Sequence, residues 1–303
     1  MHCRHSTLRV CKNLTYIVYR AGNKKSRKSG FLRPLESLIK VLARRHLGAE
    51  GSGKLPYLLE EVDAGRVREV RKKYSARYHI KGIPRGDNHN PTPEDVEKVN
   101  QENAERKLRW IINANYQAGD FHAIAGFDGN WNPTQGEAMT AYAKFIRKAR
   151  ELYRKNGRSF QYVAAMERGQ RGEHKIHFHL VIPYLDTRKI SEIWPWGRIR
   201  YFPLDNSGQY AKIASYIIKR TSKTFRAGEG FKKRYNSSTN LIIPVPKNTI
   251  VSREKWMLDP RPVKGYYIEK DKTYNGISER TGYPVQFYSM VMLQPCIKAR
   301  RRI

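Results

Sequence analysis

Lys175-Ile176-His177-Phe178-His179-Leu180-Val181-Ile182 alternates apolar residues with imidazoles along one short run. In an extended chain successive side chains point to opposite faces, so Ile176, Phe178, Leu180 and Ile182 form one row and His177, His179 and Val181 the other. That is the pattern of a strand with one face packed on a core. The preceding run, Phe160 to Glu167, repeats it: Phe160, Tyr162, Ala164 and Met166 make the apolar row and leave Gln161 and Glu167 opposite. Gly169 and Gly172 mark a turn between the two runs, so the pair reads as a hairpin that brings Glu167 near His177 and His179.

Working outward, Thr92 is an N-cap with Pro93 at the first helical position and Asp95 in the first turn, and Val96, Val99, Ala104, Leu108, Ile111 and Ile112 carry that helix towards Gly119. A strand is expected at 120–127. Thr134 and Glu137 form a capping box for a second helix, with Met139, Tyr142, Ile146, Ala149 and Tyr153 as its stripe and Gly157 as its stop. After the hairpin come a short helix near 187–194, a strand near 197–203 and a helix at 207–221. From residue 120 the first six elements read strand, helix, strand, strand, helix, strand. This is the split βαββαβ unit of a ferredoxin-like α+β fold, with an antiparallel sheet, helices on one face and the other face available for a site.

The flanks are less patterned. Residues 1–91 read as a basic accessory region, mainly helical, in which Leu35, Leu38, Ile39 and Leu42 predict a helix near 33–46. Residues 92–245 form the central domain, and 246–303 a C-terminal extension ending in the basic tail Lys298-Ala299-Arg300-Arg301-Arg302. Gly48-Ala49-Glu50-Gly51-Ser52-Gly53-Lys54-Leu55 resembles a phosphate-binding loop. However, Leu55 stands where a magnesium-binding Ser or Thr belongs, and a helical pattern precedes it where a strand is required.

The charge limits the partners. Lys and Arg number 59 against 27 acidic residues, a formal net charge of +32, and such an excess attracts a phosphate polymer before any specific contact forms. No run reaches the ~18 apolar residues that a membrane span needs, and no apolar leader follows Met1, so a cytoplasmic protein without membrane partners is expected. Cys3, Cys11 and Cys296 show no pairing pattern, and His2, Cys3, His5 and Cys11 fit no zinc spacing.

Two imidazoles and one carboxylate make a three-donor set suited to Mg²⁺ or Mn²⁺, although zinc is compatible with the same ligands and exposed histidines also contact phosphates or bases. His174 lies in the turn, as a supporting or DNA-contacting group. On the 207–221 helix, Tyr210, Ile213, Ala214 and Ile217 form the packing stripe; Tyr216 lies ~120° away on a flank shared with Lys212 and Lys219, at ~100° per residue. A phenol is a weak nucleophile near neutral pH, and neighbouring cations favour its phenolate. Trp194 and Trp196, followed by the basic stretch Lys219 to Arg234 with Phe225 and Phe231, suit either a single-strand channel or core anchors beside a solvated edge. The nucleic-acid contacts expected there are Lys212, His174, Trp196, Lys223, Arg226, Lys232, Lys233 and Arg234.

With these residues in place, the chain resembles the HUH endonucleases, specifically rolling-circle replication initiators of the filamentous-phage, microvirus and plasmid kind. His177-Phe178-His179 is similar to their histidine-hydrophobe-histidine motif, Tyr216-Ile217-Ile218-Lys219 to their tyrosine motif, and Glu167 occupies the place of their upstream polar ligand. The resemblance covers roughly residues 105–245. It implies a nuclease that nicks single-stranded or hairpin origin DNA, stays attached as a 5′-phosphotyrosine and later rejoins ends. Tyr216 and Lys219 would be catalytic, and His177, His179 and Glu167 would bind the metal. A host helicase and polymerase are implied partners, and the host cytoplasm the implied location. Phe121-His122-Ala123-Ile124-Ala125-Gly126-Phe127 is a loose counterpart of the family's first motif. Tyr210 sits in the packing stripe, which favours a single-tyrosine enzyme. A transposase or mobilisation relaxase would use the same groups, and a ferredoxin-like binding module would need the basic face without the chemistry.

Overall fold

The computed structural model describes residues 56–74, 91–169, 175–253, 255–278 and 283–293. The helix expected at 33–46, the loop at 48–55, the three cysteines, His174 and the basic tail lie outside the described residues. The chain divides into two compact units: Met1–Glu61 with Glu69–Gly86 and Lys247–Met290, and Val62–Arg68 with Asp87–Pro246 and Val291–Ile303.

The first unit is built on a sheet of strands β1 (Tyr57–Ala64), β2 (Val67–Lys73), β8 (Lys247–Val251), β9 (Tyr266–Ile268), β10 (Tyr274–Ile277) and β11 (Pro284–Met292), in the order β10-β11-β2-β1-β8 with β9 also on β11. The described part of the N-terminal region is thus a strand hairpin, not helix. A two-residue connection, Gly65-Arg66, closes β1 onto β2; Gly65 has φ +63°, the left-handed backbone such tight hairpins demand. Residues before 92 and after 246 share this sheet, so it is assembled by pairing between distant stretches. Its small core is Val70, Tyr288 and Met290 with Leu59, Tyr266 and Ile268 against it.

The second unit carries helix α1 (Pro93–Asn115), β3 (Phe121–Gly126), α2 (Gln135–Lys155), β4 (Val163–Arg168), β5 (Ile176–Ile182), α3 (Thr187–Glu192), β6 (Ile199–Pro203), α4 (Ala211–Arg226) and β7 (Asn236–Ser237). The unit is mixed α+β with the expected element order. Both long helices open on reciprocal caps: Thr92 with Asp95 and Thr134 with Glu137. α4 starts later than its apolar stripe suggests. Ser207 and Asp205 hold a local turn, Gly208 has φ +68°, and Tyr210 becomes the N-cap.

The sheet is antiparallel in the order β6-β3-β5-β4-β7. One face is the expected core. Phe121, Ala123, Ala125, Ala164, Met166, Ile176, Phe178, Leu180 and Ile182 pack under Ala141, Tyr142, Phe145, Ile146, Ala149 and Tyr153 of α2, Ile190 of α3 and Trp194. The opposite face is only partly open. Leu108, Ile111 and Ile112 of α1 and Ala214, Ile217 and Ile218 of α4 pack on Val163, Ala165 and Val181, roofing one end of it.

Candidate active site

Strand pairing lays the open end of the second face out as a lattice. Glu167 of β4 stands opposite His177 of β5, which stands opposite Gly126 of β3. In the next row Ala165, His179, Ile124 and Arg200 of β6 are aligned. The third row runs Val163, Val181, His122 and Phe202, and its first two members lie under the helical roof. The parity read from the β5 sequence therefore places both imidazoles and the carboxylate on one face. Gly126 makes room for this: a Cβ there would lie 3.1 Å from His177 Cδ2, so a side chain would crowd the imidazole from below.

A chain of hydrogen bonds joins three of the groups. His179 Nε2 lies 2.7 Å from Glu167 Oε2, and His179 Nδ1 lies 3.3 Å from His122 Nε2. With Glu167 ionised, the network assigns the protons: His179 Nε2–H donates to the carboxylate, and His122 Nε2–H donates to His179 Nδ1. The two rings are nearly parallel, 12° apart, with centroids at 5.6 Å. His179 is 1% exposed and His122 7%. Burial, followed by the proximity of His179, pulls His122 down to about 4, so it is neutral near physiological pH. Burial pushes Glu167 up, but the hydrogen bond and charge of His179, with Arg220 and His177 nearby, outweigh it and hold the carboxyl below its ordinary value.

α4 brings Tyr216 onto this bed. Its ring meets both imidazoles edge-on, 5.7 Å from His122 at 74° and 5.6 Å from His179 at 77°, and the residue remains 38% exposed. The cation lying on the phenol ring is Arg220, one turn further along, with its guanidinium carbon 5.3 Å from the ring centroid and a nitrogen 3.9 Å from Glu167 Oε1. Lys219 and Lys212 are exposed on the same helix. Tyr210 is buried in the core under α4, donates its hydroxyl to the Asp205 carbonyl, and is pushed up to about 12 by burial and by Asp205.

The remaining expected contacts scatter. Lys223, Arg226, Lys232 and Lys233 are exposed. Trp194 is a core residue that donates its indole N–H to the Gly126 carbonyl, and half-buried Trp196 packs edge-on against it at 5.1 Å. Arg234 is 9% exposed, paired with Glu97 and set over the Phe225 ring at 4.6 Å, so it braces the protein interior. His122, Arg220, Gly126 and the β6 residues are not singled out by the sequence pattern. His122 offers one signal there, as the lone polar side chain in an otherwise apolar run.

As to a metal, His177, His179 and Glu167 bring borderline nitrogen donors and a hard oxygen donor to one corner of the face, a set chemically suited to a divalent cation. In the geometry described, Glu167 and His179 are bonded to each other, and among the described residues no three His, Cys, Asp or Glu side chains form a closed ligand cluster. Among the same residues no helix is long and apolar enough to cross a membrane.

The family model for the replication-associated protein ORF2 matches residues 129–225, a stretch running from just before α2 to the end of α4 and containing Glu167, His177, His179 and Tyr216. That similarity indicates a replication initiator acting on DNA. No curated protein and no solved structure matches the chain.

Proposed function

We propose that this protein is an HUH-type, single-tyrosine endonuclease that initiates rolling-circle replication by nicking single-stranded or hairpin origin DNA. The phenolate oxygen of Tyr216 attacks a backbone phosphorus, the bond to the 3′ oxygen breaks, and that oxygen takes up a proton. One phosphodiester replaces another, so the 5′-phosphotyrosine retains the energy needed for a later 3′-hydroxyl to reverse the step and rejoin ends.

The observation that carries this reading is the approach of the Tyr216 ring to within 6 Å of both His122 and His179, from a helix remote in sequence from either strand. Arg220 favours the phenolate and an incoming phosphate alike. Lys219, exposed one turn after the phenol, adds positive charge on the same side. His122 holds the His179 ring and fixes which of its nitrogens carries the proton, a positioning role. Mg²⁺ or Mn²⁺ bound by His177, His179 and Glu167 would supply charge neutralisation at the scissile phosphate. Strand separation and copying fall to other proteins, a host helicase and polymerase, and the work is placed in the host cytoplasm.

The test is incubation with a labelled hairpin oligonucleotide and Mn²⁺, followed by denaturing electrophoresis and mass spectrometry. A covalent adduct mapped to Tyr216 is expected. Binding without any adduct would leave a DNA-binding module in place of a nuclease, and an adduct at another tyrosine would overturn the assignment of the nucleophile.

A further inference from the structure

We propose that strand β6, the outer edge of the site's sheet, is a docking edge for single-stranded DNA, with Phe202 stacking one unpaired base while Arg198 and Arg200 hold neighbouring phosphates. This deepens the nicking function proposed above and rests on it for the identity of the polymer.

The alternation along β6 sorts its residues. Ile199 and Tyr201 turn to the α2 side and pack against the core there. Arg198, Arg200 and Phe202 take the other parity and are exposed. Register fixes where they stand: Phe202 opposite His122, Arg200 opposite Ile124, and Arg198 beside Gly126, whose N–H donates to the Arg198 carbonyl at 2.9 Å. The three thus extend the lattice rows of His122, His179 and His177 outward to the sheet edge. The Phe202 ring lies 5.9 Å from the His122 ring at 30°, and the residue is 47% exposed.

An edge strand often carries charge to prevent pairing with other chains, which would account for the arginines. It does not account for a phenylalanine half open to solvent beside them. Neither guanidinium has an acidic partner among the described residues, and Glu167 is the only acid in the three rows. An exposed ring flanked by two uncommitted cations matches a polymer that offers a π face and a phosphate at every unit. A duplex hides its base faces in the stack, so the ring selects for unpaired DNA. From Phe202 the path leads by contact to His122 and then to Tyr216.

The experiment is fluorescence anisotropy of a labelled oligothymidylate with the full chain carrying Tyr216→Phe, which keeps binding separate from cleavage. Adding Phe202→Ala should weaken binding roughly 10-fold, within the range one stacked base supports. Phe202→Trp should restore affinity and Phe202→Leu should not, so the Trp and Leu pair decides if the alanine variant folds poorly. Arg198→Gln and Arg200→Gln should each reduce the slope of log affinity against log salt by ~0.7. Equal affinity for the Trp and Leu variants, or unchanged salt slopes, would overturn the docking edge. The parallel adduct assay with Tyr216 intact separates the two ideas. An adduct whose yield does not depend on Phe202 would keep the nuclease and remove the edge, and weakened binding without any adduct would do the reverse.

Discussion

The two faces of the sheet β6-β3-β5-β4-β7 come from the same strands and obey different constraints. On the α2 side every inward residue from β5, namely Ile176, Phe178, Leu180 and Ile182, is fully buried, and the demand is for volume and shape. On the other side His177, His179 and Glu167 sit beside Val163, Ala165 and Val181, and the demand changes from chemistry to packing within a few residues. The roof of α1 and α4 accounts for the change: it seals one end of the face and leaves an aromatic and ionisable corner at the other. Stability and activity should therefore separate by strand parity.

Four predictions break or sharpen that separation. Tyr216→Phe should reduce adduct formation by at least ~10³-fold while changing stability by no more than ~0.5 kcal/mol, because the ring is kept and the residue is exposed. Adduct gels and urea denaturation on one preparation would check both halves. Phe178→Ala, on the buried parity of the same hairpin, should cost about 3–5 kcal/mol. Its neighbour His177→Ala should retain the fold and lose Mn²⁺-dependent cleavage, and an equal loss of stability in the two would remove the contrast.

A smaller effect concerns pH. His122 titrates near 6.5 when unfolded and about 4 when folded, so between those values the unfolded chain binds more protons. Its contribution is complete above pH 6.5 and is lost as pH falls towards 4, a difference of roughly 3 kcal/mol. In chelator, an NMR titration of this imidazole with a midpoint near 6.5 would contradict the buried placement. Last, Thr134→Ala removes the cap of α2 and should cost about 1 kcal/mol without altering adduct yield.

Much of this is legible in the residues. The parity of β5 follows from strict alternation, and the capping boxes mark two helix starts that the structure reproduces. What stays hidden depends on pairing between distant segments. His122 sits in Phe121-His122-Ala123-Ile124-Ala125, where apolar residues occupy both faces because both are covered, so alternation carries no contrast. Arg234 reads as one more cation in a basic run, and only the fold supplies Glu97 as its partner. The hairpin Tyr57 to Lys73 mixes charge and apolar side chains too irregularly to declare itself, and its partner β8 lies at the far end of the chain. Helical spacing points to Lys219 and misses Arg220, because it gives the angle around an axis but not which neighbour leans across it.

Chain order and spatial order differ in the site's sheet. A ribosome delivers β3, β4 and β5 before either edge strand, so the interior and its two imidazoles are made first, β6 and then α4 follow, and β7 closes the far border. A product that stopped before residue 211 would hold the whole imidazole bed and no phenol above it. In this chain the attacking group is translated last of the catalytic parts.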